Sequence, residues 1–320
     1  MKTLDGLKWS PKWVSHLGCV KGCLDYLGLA ISDAWLYGGT GHAFVINMPA
    51  DVCASGPTAW HTMMLSELAP NLGYQVDGVF GGKWMGGEFA GVQSRAWEFT
   101  KKAIDEGLPV YGWELDIPEF YVIFGYDDVG YYYSGPEADE GKGSKPWKEL
   151  GDTEIGIVEV YRVGLVNAQE DRVVVKAALA KALKHASNPE DWIFEGSSSG
   201  VKGFDAWIEA LEQEKANRFG MGYNTAVWQE CREHAAQFLV EAKARLNGKV
   251  SGLLDEGIRH YQTVADRLAR VSEIYPWTLE GGDRVIKSDE NSQIAVRLLR
   301  EAREAEAAGL VVLEKIVADL

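Results

Sequence analysis

Cysteine is scarce in this chain of 320 residues, which carries only Cys19, Cys23, Cys53 and Cys231. Four thiols over that length do not make a disulfide framework and fit a reducing compartment. No apolar run is long enough to span a bilayer. The opening "MKTLDGLKWSPKW" lacks the apolar core of a secretory signal, so the expectation is a cytoplasmic protein. Runs of Lys and Arg are missing as well. A net charge of −15 repels phosphate backbones and anionic lipid, which argues against nucleic acid or membrane as a partner. Neither G-x-x-x-x-G-K-[ST] nor a G-x-G-x-x-G between strand and helix occurs. No repeat of 20–50 residues is visible, and no cofactor is expected.

What is present is an ordinary folding composition, 46% hydrophobic and 25% charged, long enough for two domains. The first half is rich in Gly, Trp and Tyr. "SRAWEFTKKAIDEG" reads as a helix capped by Ser94 and stopped by Gly107. "LPVYGWEL" reads as a strand, and "EFYVIFGYDDVGYYYSG" as two strands around a "DDVG" turn. "IGIVEVYRV", residues 155 to 163, is one more strand, and "EADEGKGSKPWKELGD" reads as a surface loop. The second half repeats apolar residues at helical spacing. Cys231, Ala235, Phe238 and Ala242 form one stripe, Leu254, Ile258, Tyr261, Ala265 and Leu268 another, and Ile294, Leu298, Ala302, Ala305, Gly309, Val312 and Ile316 a third. On the last helix, Arg297 with Glu301 and Arg300 with Glu304 are spaced for i,i+4 pairs. These patterns predict an α+β domain over residues 1–167 and an α-helical domain over 168–320.

The chemistry centres on "HLGCVKGCLDYLGL", residues 16 to 29. A cysteine at a helix start is favoured as thiolate by the unpaired backbone N–H groups there. Cys19 is then the exposed candidate and Cys23 the packed one, with Gly18 allowing close approach to Cys19. Cys19, Cys23 and the nearby His16, placed on the entering loop, could supply three metal ligands. Structural zinc usually shows two closely spaced pairs, no second pair is found, and no metal is expected. "GVFGGKWMGGEFAG", residues 78 to 91, reads as a mobile loop or a set of tight turns carrying Trp84, and the hairpin contributes Tyr121. "SSSGVKG", residues 197 to 203, reads as a linker.

"CVKGCLDYLG" resembles the nucleophile helix of papain-like cysteine peptidases of the bacteriocin-leader-processing type, whose motif is roughly Cys-Gly-Pro-x-Cys/Ala-Leu-x-x-x-Leu followed by Gly. "AIDEGLPVYGWELDIPEFYVIFGYDD" is similar to that family's strand pair, and "ISDAWLYGGTGHAFVINM" to a segment of the butirosin biosynthesis protein H N-terminal-domain family. The resemblance implies a papain-like cysteine peptidase fold, an N-terminal helix packed on an antiparallel sheet, followed by a mainly α-helical region. It also implies Cys19 as nucleophile, with its backbone N–H in the oxyanion hole. Acyl transfer from a small-molecule or carrier-protein thioester, or cleavage of an amide or thioester, would be the chemistry. The family's catalytic histidine falls on Glu119, and its assisting aspartate on Gly135. His42, in "YGGTGHAF" ahead of a strand "AFVINM", is the substitute base, and Gly18, Trp84 and Tyr121 are the candidate substrate contacts. The other reading is a catalytically inactive relative that binds a small molecule or peptide, with the helical half mediating homo-oligomerisation.

Overall fold

The computed structural model describes residues 1–61, 66–187, 192–246, 248, 250–278, 282 and 284–320. In chain order the elements are β1 (Lys2–Thr3), α1 (Ser15–Tyr26), α2 (Asp33–Gly39), β2 (Asn47–Pro49), α3 (Ser55–Thr58) and β3 (Tyr74–Gly82). Then come α4 (Phe89–Asp105), β4 (Val110–Trp113), β5 (Phe120–Tyr126), β6 (Gly130–Ser134), β7 (Lys142–Pro146) and β8 (Ile157–Leu165). The remainder is α5 (Asp171–Ser187), β9 (Ser197–Ser199), α6 (Gly200–Glu212), α7 (Arg218–Leu246), α8 (Ser251–Ile274) and α9 (Glu290–Asp319). The protein is thus a mixed α/β chain with an antiparallel sheet and a helical C-terminal region.

The chain divides into two compact units, Met1–Ile31 with Gly73–Ala168, and Ser32–Leu72 with Gln169–Leu320. After the last long strand the units part at Ala168 and Gln169. The expected domain of residues 1–167, however, is interrupted, because residues 32–72 pack with the helices. Their burial there explains why. Gly38 of α2 lies so close to Phe238 of α7 that a Cβ would collide with its ring. Asn47, Met48 and Pro49 pair with Ser199, Ser198 and Ser197. The expected strand "AFVINM" therefore shrinks to β2, preceded by a 3-10 turn over His42–Phe44. The expected linker "SSSGVKG" becomes β9 and the start of α6.

The sheet unit has strand order β3-β8-β4-β5-β6-β7, with β1 paired to β5. Alternation along the strands sends Tyr111 and Tyr161, which are register partners, to the face covered by α1. Arg162 points the other way, against Phe99 of α4 at 5.4 Å. Both faces of the central strands are covered, so "FYVIFGY" is buried along nearly its whole length rather than on alternate positions. Helix α4 begins five residues ahead of Ser94, after a 3-10 turn over Lys83–Glu88, so Ser94 is interior; Gly107, at φ +77, does lie just past its end. The expected loop at 137–152 contains β7, and residues 78–82 finish β3.

In the helical unit α8 packs against both α7 and α9. Small residues set the spacing: a Cβ on Gly309 would stand 3.1 Å from the Tyr261 ring, and one on Gly257 3.1 Å from Leu239. Arg300 and Glu301 do not rely on i,i+4 partners of their own helix. Arg300 bonds Glu212 of α6, and Arg267 of α8 reaches Glu301 at 2.5 Å. Carboxylates on neighbouring helices are nearer than the same-helix partners that the spacing suggests.

Candidate active site around Cys19

Helix α1 begins at Ser15, four residues before Cys19. The Gly18 N–H already donates to Val14 O at 3.0 Å, so the unpaired amides are those of Ser15, His16 and Leu17. Cys19 lies past the first turn, where the dipole effect has fallen off. Its own N–H is inside the helix ladder and is not an oxyanion donor, contrary to expectation.

Cys19 is fully buried, as is Cys23, which corrects its assignment as the exposed thiol. The reason is that α1 is covered from two sides. On one side lies the sheet, which α1 meets at β4, β5 and β8. On the other lies the N-terminal strap. Ser10 N–H donates to Gly18 O at 3.2 Å, and a Cβ on Gly18 would stand 2.5 Å from Ser10 O. A Cβ on Gly22 would collide with the Lys8 carbonyl. The group that approaches Gly18 is thus the chain itself, not a substrate. Burial pushes the Cys19 thiol well above its ordinary range, with Cys23 and Glu119 adding negative potential.

His16 lies in the first turn of α1, buried, rather than on the entering loop. Its Nε2 is 3.0 Å from Tyr111 Oη, and its ring centroid is 4.4 Å from that of Phe120. Burial lowers it to about 3, so it is neutral at physiological pH. Glu119 immediately precedes β5 and accepts a hydrogen bond from Ser15 Oγ, which in turn accepts from Phe120 N–H at 3.1 Å. Ser15 therefore ties the start of α1 to the start of β5. No local signal marks it, because its partners are more than 100 residues away.

Gly135 follows β6 and lies against Tyr121: a Cβ there would stand 2.5 Å from Tyr121 Cδ1. Tyr121 is buried, donates to Pro136 O at 3.1 Å and accepts from Ile117 N–H at 3.1 Å. It is a core ring, not a wall of an open cleft. Gly135→Asp is consequently expected to destabilise by about 1–3 kcal/mol through overpacking, measured by urea unfolding; a neutral change would show that the ring yields readily.

His42 belongs to the helical unit, whereas Cys19 and Glu119 belong to the sheet unit. It is buried, with its ring centroid 5.5 Å from that of Trp60 and 6.2 Å from that of Tyr37. Trp84 is 62% exposed, and its ring centroid is 5.7 Å from that of Phe80. Neither unit by itself assembles the expected constellation. The sheet unit does carry an open groove of about 460 Å³ beside the connection that leads to Glu119. Leu115, Asp116, Tyr133, Lys142, Lys145 and Glu149 line it. Asp116 and Lys142 pair at 2.5 Å, while Lys145 and Glu149 have no ion pair among the described residues.

Among the described residues, no three His, Cys, Asp or Glu side chains group as metal ligands, and no helix is long and apolar enough to cross a membrane. Neither a model of a known protein family nor a curated protein matches the chain.

Proposed function

We propose that the sheet unit is a papain-like scaffold whose cysteine position serves the core, and that the protein binds a small molecule or peptide rather than turning over a thioester. The observation that carries this reading is the complete burial of Cys19 between strap and sheet. Thiol catalysis needs an accessible thiolate and a base within hydrogen-bond reach. Proton transfer from Cys19 to His16 would oppose both shifts, since the thiol is raised and the imidazole lowered; each unit of mismatch adds about 1.4 kcal/mol. Glu119 repels a thiolate instead of accepting its proton, and its carboxylate is engaged by Ser15. The likeness to the papain-like arrangement rests on element order: a cysteine-bearing helix on an antiparallel sheet, then strands that begin at Phe120, just after Glu119, and end before Gly135. The groove beside Leu115 and Asp116 has a volume suited to a small ligand, and Lys145 and Glu149 offer it one charge of each sign.

Alkylation of the native protein, read by peptide mass spectrometry, is the test. Half-buried Cys53 is expected to react first. Cys19, Cys23 and Cys231 react only through opening, at least about a thousandfold slower. Incubation with the acetyl thioester of N-acetylcysteamine is expected to leave Cys19 unmodified. A stable acetyl adduct on Cys19, or its rapid alkylation near neutral pH, would sink the reading in favour of acyl transfer.

A further inference from the structure

The helical unit contains a buried polar cluster unrelated to Cys19. His185 lies near the end of α5 and is 3% exposed. Its ring centroid is 5.5 Å from that of Trp192, the planes inclined by 25°, and 6.2 Å from that of Trp60, nearly edge-on. The two tryptophans are held together by backbone pairing: Trp60 bridges to Ile193, and His61 N–H donates to Trp192 O at 3.0 Å. Neither His185 ring nitrogen has a hydrogen-bond partner, and neither does the Trp192 indole N–H. A neutral imidazole has one donor and one acceptor, so three hydrogen-bonding atoms are left unmatched by protein groups.

These atoms belong to side chains that line one small, mostly apolar cavity, together with Thr40, Val45, Trp60 and Lys181. Its volume is about 10 Å³, room for a single water-sized species. The other polar neighbours are engaged. The Thr40 hydroxyl donates to Leu36 O at 2.9 Å, the Trp60 indole to Pro57 O at 2.9 Å, and Lys181 Nζ to Glu67 at 3.2 Å. An apolar cavity of this size stays dry, whereas one offering two or more polar partners holds an ordered water.

We propose that this cavity is a binding site for one water molecule, which bridges the imidazole of His185 to the indole N–H of Trp192. The water donates to the unprotonated imidazole nitrogen and accepts from the indole. It thereby links α5 to the segment that pairs with Trp60, beside the contact that Lys184 Nζ makes over the Trp192 ring at 5.0 Å. Anything larger than water is excluded by volume, and a small cation is disfavoured by the positive charges of Arg232 and Lys181, both of which act on the imidazole.

The test uses the intact chain. Water-oxygen magnetic relaxation dispersion counts waters that exchange slowly, and a cross-relaxation peak between water and the His185 ring protons locates this one. The wild type is expected to show that peak, and His185→Phe to hold one slow water fewer. Xenon under pressure supplies a readout on the wild type alone. Xenon density against Trp60 and Trp192, or the absence of the water–imidazole peak, would overturn the assignment. Should His185→Phe fail to fold, the xenon and cross-relaxation measurements still decide it.

Discussion

Arg232→Met is expected to destabilise the helical unit by about 3–5 kcal/mol, the largest effect of any single substitution considered for that unit. Arg232 and Glu306 are both fully buried. The guanidinium spans two helices and a loop. Nε donates to Glu306 Oε2 at 2.8 Å and Nη2 to Oε1 at 2.9 Å, while Nη1 reaches Ala43 O at 2.9 Å and Val45 O at 2.8 Å. Methionine would fill much of the volume but leave a carboxylate buried without its counter-charge and two carbonyls without donors. The double variant Arg232→Met, Glu306→Leu removes the uncompensated charge and is expected to recover most of the loss, leaving about 1–3 kcal/mol for the two carbonyls. Urea unfolding of the three proteins measures this. A single variant within 1 kcal/mol of wild type, or a double variant no better than the single, would mean that this pair does not hold residues 43–45 to α7 and α9.

The second large effect is acid sensitivity confined to one unit. His185 in the helical unit and His16 in the sheet unit are each lowered by burial to about 3 from an ordinary 6.5. The unfolded chain therefore takes up a proton near pH 6.5 that the folded chain refuses. The stability associated with each histidine is fully present above 6.5 and falls toward pH 3, by about 1.4 kcal/mol per pH unit. Glu159 in β8 runs the other way. Burial raises it from 4.5 to about 7, so its contribution is fully present below 4.5 and is lost as pH rises toward 7. Between pH 4.5 and 6.5 the His16 and Glu159 terms in the sheet unit nearly cancel, with the raised Glu114 acting in the same sense as Glu159, while in the helical unit the loss from His185 is joined by that of the lowered Glu214 toward the acid end. Acidification from 6.5 to 4.5 is therefore expected to weaken the helical unit by about 3 kcal/mol and the sheet unit by little. Glu159→Gln should expose the acid sensitivity of the sheet unit. Hydrogen exchange corrected for intrinsic rates, followed peptide by peptide, separates the units. Equal acid loss in both units of the wild type would contradict these burial assignments.

The strands and long helices were legible in the chain because their signals are local. "EFYVIFGYDDVGYYYSG" folds as two strands around its turn, and the apolar stripes of the last three helices are buried except at Ile258 and Ile294, which are half-buried. Ser94 misled as a cap because α4 already begins at Phe89, a continuation that a capping residue type does not exclude. The candidate site was legible in its order and not in its environment. Cys19 near a helix start, Glu119 ahead of a strand and Gly135 after the next can all be located from the sequence. Whether a thiol beside them is open or closed depends on Lys8 and Ser10 crossing Gly18 and Gly22.

The sequence by itself determined the net charge of −15 and the types of the long elements, since periodicity and composition act over a few residues at a time. Only the tertiary structure decided that residues 32–72 leave the sheet unit, that His42 and Cys19 belong to different units, and that Cys19 is core. Each of those outcomes rests on contacts between groups far apart in the chain, such as Arg232 with the carbonyls of Ala43 and Val45 or Ser15 with Glu119. Such pairings are selected by burial and hydrogen-bond satisfaction in the whole fold, which no short stretch of sequence encodes.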